Sequence, residues 1–398
     1  MRIYTARLMK RNVLILAFCL AMMMSANSLL IATSPLVGVA LAGDPAWATV
    51  PIALMFVGTL SSTYPASMLM KHIGRRAGFT IGLLIGVLGA VFSALGILTQ
   101  TFGGFCFGAV LIGIFNAFGQ YYRFAAADVA SLDYRSRAIS YVMAGGIAAA
   151  VIGPNLARVT LDLVSSATFA GSYLALLGLY ALSLIVLQWA RIPAPTAVER
   201  HATGRPLSTV ARNPMFLVAV LSATIAYGVM NLVMTATPLA MHHHGHLFED
   251  TALVIQWHVL GMFAPSFVTG HLIRKFGVSN IMLTGCLSLA LCALVNLSGE
   301  SVAHFFAGLV LLGVGWNFLF VGATDLLTQT YAAEEKAKTQ GLNDLIVFST
   351  VAMTALSSGY LHLHFGWAAI NYSVLPLVLV AFVATVWLKQ LKSEALAG

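Results

Sequence analysis

Charge is what this chain conspicuously lacks. Only 9% of its 398 residues are Asp, Glu, Lys or Arg, against about a quarter in an ordinary globular domain. A water-soluble fold is excluded on that ground, and so are disorder and a collagen repeat. Cysteine is scarce as well. Cys19, Cys106, Cys286 and Cys292 all sit in apolar stretches, with no C-x-x-C between them. That excludes a disulfide scaffold, and the four read as buried free thiols. No Gly-Lys dipeptide occurs anywhere, so no Walker A loop can be built and nothing suggests an ATP-driven pump. G-x-S-x-G and H-E-x-x-H are missing too, which leaves no enzyme signature and no expected cofactor.

What is there is hydrophobic: 59% of the chain. A membrane-spanning helix needs about 20 consecutive apolar residues. Runs of that length fall at 12–36, 48–70, 77–99, 102–122, 138–160 and 167–190. Six more lie at 214–239, 251–273, 279–298, 302–324, 342–361 and 368–388. The expected fold is therefore an all-α integral membrane protein of twelve spanning helices. The longest polar stretch, from Arg191 to Asn213, carries Pro193, Pro195, Pro206 and four arginines. It divides the chain into a six-helix bundle over 1–190, a linker over 191–213 and a second bundle over 214–398. Ala40-Leu41-Ala42 imitates a signal-peptidase site. The preceding apolar run, about 24 residues, is too long for a signal peptide, and it has a counterpart in the second half.

The net charge of +8 would suit nucleic acid, but its distribution points to the membrane. With twelve spans, every Lys and Arg except Arg158 falls on one side. The opposite loops carry Asp44, Asp162, Glu249, Asp250 and Glu300. By the positive-inside rule both termini are expected in the cytoplasm. The expected setting is a bacterial cytoplasmic membrane, with a monomeric chain, lipid around it and no nucleic-acid partner.

The two halves repeat. At an offset of about 203, Thr33-Ser34-Pro35-Leu36 matches Ala236-Thr237-Pro238-Leu239, Gly58 matches Gly261 and Gly74 matches Gly277. The offset then slips to about 201, where Asn116 matches Asn317. Asp133, Arg135 and Arg137 match Glu334, Lys336 and Lys338 sign for sign. Such a duplication marks a two-lobed transporter whose site lies near mid-membrane. The loop Lys71-His72-Ile73-Gly74-Arg75-Arg76 and its copy Gly270-His271-Leu272-Ile273-Arg274-Lys275-Phe276-Gly277 resemble the G-x-L-x-D-R-x-G-R-R loop of the major facilitator superfamily. The resemblance implies that family's two-bundle fold and alternating access. It also implies a latch built on the loop's acidic residue, which Lys71 replaces here.

Spans 7 and 8 carry the most specific chemistry. Met230 and Met234 are four residues apart, as are His258 and Met262, so each pair shares one helix face. The two spans run antiparallel, and at 1.5 Å per residue the pairs match in depth within about 3 Å. Methionine is an ordinary gap-filler, and either pair alone is a weak signal. Both together on consecutive spans are stronger, and a histidine within a span is usually functional. Three neutral thioethers and an imidazole favour Cu(I) over zinc, and over any divalent ion whose burial is costlier. M-x-x-x-M followed by H-x-x-x-M resembles the CcoA-like copper importers. That resemblance implies Met230, Met234, His258 and Met262 as metal ligands and copper as the transported substrate. The same branch includes riboflavin transporters, so the resemblance leaves the cargo open.

Weaker candidates surround this set. Met241, His242, His243, His244 and His246 follow span 7 and read either as a metal-capture cluster or as a solvated loop. Gly153-Pro154 in span 5 reads as a proline kink. Asp128, Asp325 and Asp344 are expected to pair with Arg123 or the loop lysines; a proton relay is the other reading. Arg158 pairs with Asp162 one turn on, or faces a cavity and favours an anionic organic cargo. The main expectation is a copper importer working by alternating access. Its rivals are an importer of riboflavin or a similar organic solute, and a copper receptor that does not transport.

Overall fold

The computed structural model describes residues 6–43, 47, 50–165, 167–196, 200 and 204–397, with the side chains of 248 and 392–397 outside that description. Arg2 and Asp44, the Lys392 side chain, and linker positions 197–199 and 201–203 thus fall outside the described residues.

Every regular element among the described residues is helical. In chain order they are α1 (Ala6–Ala42), α2 (Val50–Ile73), α3 (Arg75–Leu98), α4 (Phe102–Gly119), α5 (Tyr122–Val129), α6 (Arg135–Ala144), α7 (Ile147–Thr160) and α8 (Ala170–Leu187). Then come α9 (Leu207–Ala211), α10 (Pro214–His243), α11 (Phe248–Phe263), α12 (Ser266–Phe276), α13 (Val278–Ser298), α14 (Val302–Leu327) and α15 (Lys336–Ala397). Eleven stretches of the described residues are long and apolar enough to cross a membrane. The last, within α15, is broken by non-helical Gly366 at φ 78 into two arms, each of spanning length. Twelve crossings result, as the hydrophobic runs require.

Three crossings are not single straight helices. The fourth breaks between α4 and α5, the fifth between α6 and α7, and the eighth between α11 and α12. The break in the fifth falls at Gly145-Gly146, where helix propensity is lowest. Pro154 lies inside the continuous α7, away from that break. The eighth breaks at Ala264-Pro265, where Pro265 supplies no N–H, and a buried side chain bridges the break. Asn317 donates from Nδ2 to the Met262 carbonyl at 2.6 Å and to Ser266 Oγ at 2.5 Å, and accepts from Thr269 at 2.6 Å.

The chain forms two compact units. In the first, Met1–Ser131 with Gly145–Ala202, α3 and α2 pack on α4, and α1 packs on α7 and α8. In the second, Leu132–Ala144 with Thr203–Gly398, α10 packs on α14 and α15, α11 on α14, and α13 on α14 and α15. The sequence division puts 132–144 in the first bundle, whereas here α6 packs on α12 within the second unit. The contact is close because Gly270 has no side chain. A Cβ there would lie 2.6 Å from the Arg137 Cα. Ser136 also donates to Asp325 Oδ1 at 2.8 Å.

Within the second unit, Arg205 of the linker is held on Glu335. Arg205 donates from Nε (2.8 Å) and Nη2 (2.7 Å) to the two oxygens of buried Glu335, and its backbone N–H adds a 2.7 Å bond. The Ala332 N–H gives the carboxylate a further donor at 3.1 Å. Lys338 donates to the Arg205 carbonyl. Foremost through the Arg205 side chain, and despite burial, the Glu335 carboxyl is pushed down to about 2.

Candidate functional site

His258 and Met262 lie one turn apart on α11, both buried, on the side that packs against α14. The approach there is tight: a Cβ on Gly313 would lie 2.6 Å from the His258 carbonyl oxygen. His258 Nδ1 stands 2.8 Å from the Leu309 carbonyl oxygen. A carbonyl only accepts, so Nδ1 carries the hydrogen and Nε2 holds the free lone pair. That Nε2 is buried and has no hydrogen-bond partner. An imidazole oriented by a backbone carbonyl through one nitrogen, with the other open, is how histidine commonly meets a metal. Met230 is buried and Met234 half-buried on α10, whose principal neighbours are α14 and α15, with only minor contact to α11. The structure thus seats the two pairs in one unit, on helices that both pack on α14. Among the described residues no three His, Cys, Asp or Glu side chains form a ready metal centre.

Beside this set lies an aromatic cluster that the sequence reading passed over. Trp316 and Phe320, one turn apart on α14, stack with centroids 5.1 Å apart and planes 14° apart. Tyr227 of α10 meets them edge-on at 5.4 and 5.2 Å and reaches Phe348 of α15 at 5.6 Å. Phe263 of α11 completes it at 5.7 Å from Trp316. Four helices therefore contribute aromatic faces to one place, three residues along α10 from Met230. The Trp316 indole N–H is buried without an acceptor. The W-x-x-x-F spacing was the only sequence sign of it.

The repeated loops take matching backbone geometry. Gly74 has φ 89, ψ 160 and Gly277 has φ 85, ψ 149, a region open essentially to glycine alone. Arg75 is buried and pairs through Nε with Asp128 Oδ2 at 3.2 Å, its guanidinium over the Tyr121 ring. Asp128 thus pairs with Arg75. Arg123 lies over the Phe124 ring and donates to the Gln120 carbonyl. Arg76 donates to Gln188. Lys71 is half-buried, and Arg274 and Lys275 are exposed. All four cysteines are free and buried. Arg158 is exposed on α7 and, among the described residues, forms no ion pair with Asp162.

The histidines after span 7 divide by environment. Met241 is fully buried, whereas His242 and His243 are exposed. His244 Nδ1 lies 3.0 Å from Glu300 Oε2, and His246 Nε2 lies 2.6 Å from the Glu300 carbonyl oxygen. The first arm of α15 adds His362, whose ring centroid is 6.3 Å from that of His243.

Comparison with known proteins gives a consistent pattern. The Major Facilitator Superfamily model matches residues 13–295 and 220–397. The riboflavin transporter RfnT of Brucella anthropi is 42% identical over 378 residues, 94% of each chain. YdeG of Bacillus subtilis, an MFS-type transporter, is 30% identical over 84% of each chain. Among solved structures, the human organic anion transporter MFSD10 superposes with a TM-score of 0.77 at 14% identity, covering 95% of this chain and 99% of that one. At that identity the likeness concerns the fold.

Proposed function

The chain belongs to the Major Facilitator Superfamily, a multi-pass membrane transporter family, and from that premise we propose that it imports riboflavin or a similar small aromatic solute. One observation carries this reading: the 42% identity with a riboflavin transporter, spread over 94% of both chains. The aromatic cluster around Trp316 supports it. A planar heteroaromatic solute stacks on such faces, and the unpartnered Trp316 N–H offers a donor to a ring carbonyl or nitrogen. We further propose that the membrane is the bacterial cytoplasmic one. The basic loops and both termini would then face the cytoplasm.

A second reading, Cu(I) import, rests on a different observation: the buried, unpartnered Nε2 of His258, one turn from Met262 and in the same unit as Met230 and Met234. One experiment separates the two. Cells that cannot synthesise riboflavin are supplied with the chain and given labelled riboflavin, and their copper content is measured in parallel. Riboflavin uptake that depends on the chain, with copper unchanged, supports the main reading. Copper accumulation without riboflavin uptake overturns it in favour of the second.

A further inference from the structure

We propose, resting on the riboflavin reading above, that Asn27 and Asn116 of the first unit form a subsite for the imide edge of the solute. Such an edge, an N–H between two carbonyls, is carried by the isoalloxazine ring.

The two amides meet near mid-membrane. Asn116 follows the start of α4 by 14 residues, about 21 Å along the helix. Asn27 lies near the centre of the apolar run 12–36. Asn116 Nδ2 donates to Asn27 Oδ1 at 3.0 Å, which uses one donor and one acceptor of the pair. Among the described residues, the buried Asn116 Oδ1 has no partner, and Asn27 Nδ2 donates to nothing. Turning both amides over exchanges the labels and still leaves one acceptor and one donor open.

The other half of the chain makes the contrast. There Asn317, the match of Asn116, uses its amide on the Met262 carbonyl, Ser266 and Thr269 across the gap between α11 and α12. At the offset of about 203, Met262 and Ser266 match Thr59 and Thr63. Thr63 itself donates to the Thr59 carbonyl at 2.7 Å, inside the continuous α2. That helix has no gap for an amide to bridge, and Asn116 bonds to α1 instead. Its partner Asn27 matches Met230 at the same offset, the position that opens the candidate ligand set of the second unit.

Asn27 is half-buried, on a face of α1 shared with Met24, Ser28 and Ile31 that no described helix fully covers. Hydrocarbon cannot satisfy an amide, and a polar group left open at this depth marks a solute path. Apolar walls hold a flat ring without fixing its direction. The open acceptor takes the imide N–H and the open donor takes the neighbouring carbonyl, which sets the orientation.

The full-length protein in detergent is titrated with riboflavin, and with riboflavin methylated on its imide nitrogen, which removes the N–H. Flavin fluorescence reads the binding. The wild type should hold riboflavin at least about tenfold more tightly than the methylated ring. Asn27→Ala and Asn116→Leu should cut that preference to about threefold or less, by weakening riboflavin and not its analogue. A purely structural role would weaken both compounds and leave their ratio as in the wild type, and that result overturns the proposal. So does a wild type that binds the two equally, a comparison for which no variant has to fold. A wild type that binds neither overturns the riboflavin reading itself, and this subsite with it.

Discussion

Replacing Glu335 with Gln should destabilise the protein at neutral pH and leave it nearly unaffected in acid. Burial leaves the Glu335 side chain 2% exposed, and four donors converge on its two oxygens. Its carboxyl falls from an ordinary 4.5 to about 2, first of all because of the Arg205 side chain. A shift of that size corresponds to about 3 kcal/mol at most. The Arg205 side chain is 48% exposed, so solvent screening reduces this to about 1–2 kcal/mol. The sign follows from the direction of the shift. The folded state holds its proton less tightly than the unfolded one, so the contribution is complete above about pH 5. It is lost as pH falls toward 2, and more than half is gone by about pH 3. Thermal unfolding in detergent should show Glu335→Gln roughly 1–3 °C below wild type at pH 7, with the gap narrowing at pH 3. Comparing the two proteins at each pH cancels every other titrating carboxylate. Arg205→Lys should recover only part of the gap, because an ammonium cannot make the two parallel bonds. A gap that is absent at pH 7, or undiminished at pH 3, would refute the reasoning.

Gly277→Leu should slow uptake while leaving substrate binding intact, since no atom stands within 4 Å of a Cβ there and the cost of roughly 1–3 kcal/mol is purely one of backbone conformation; normal transport rates would count against it. Asn317→Ala should lower stability by about 1–3 kcal/mol by leaving the Met262 carbonyl without its donor, read as a drop in thermal midpoint. Trp316→Ala should cut riboflavin uptake at least tenfold with the protein still present in the membrane, and unchanged uptake would remove the aromatic cluster from the substrate path.

The hydrophobic runs gave away the crossings, because a spanning helix is dictated by about 20 residues of local composition. Even the division of α15 at Gly366 fell between two runs. The breaks at Gly145-Gly146 and Pro265 left no mark on hydropathy, since Gly, Ala and Pro barely alter it. What stayed hidden was pairing at long range. Glu335 and Arg205 are 130 positions apart, and nothing local announces that a linker arginine will seek that carboxylate. Likewise Asp128 pairs with Arg75 at a separation of 53. The candidate ligands on α10 and α11 were legible from spacing. The aromatic faces beside them were not, because they come together from four helices.

Helix α6 also bears on how the chain is made. Its partner residue Asp325 lies 189 positions after Ser136, and ribosomes add about 5–20 residues each second. For on the order of ten seconds after α6 emerges, Ser136, Arg135 and Arg137 exist without the surface they will cover. A nascent first half is therefore complete in sequence but unfinished in packing, and that interval is when an insertion factor or quality-control protease would meet it.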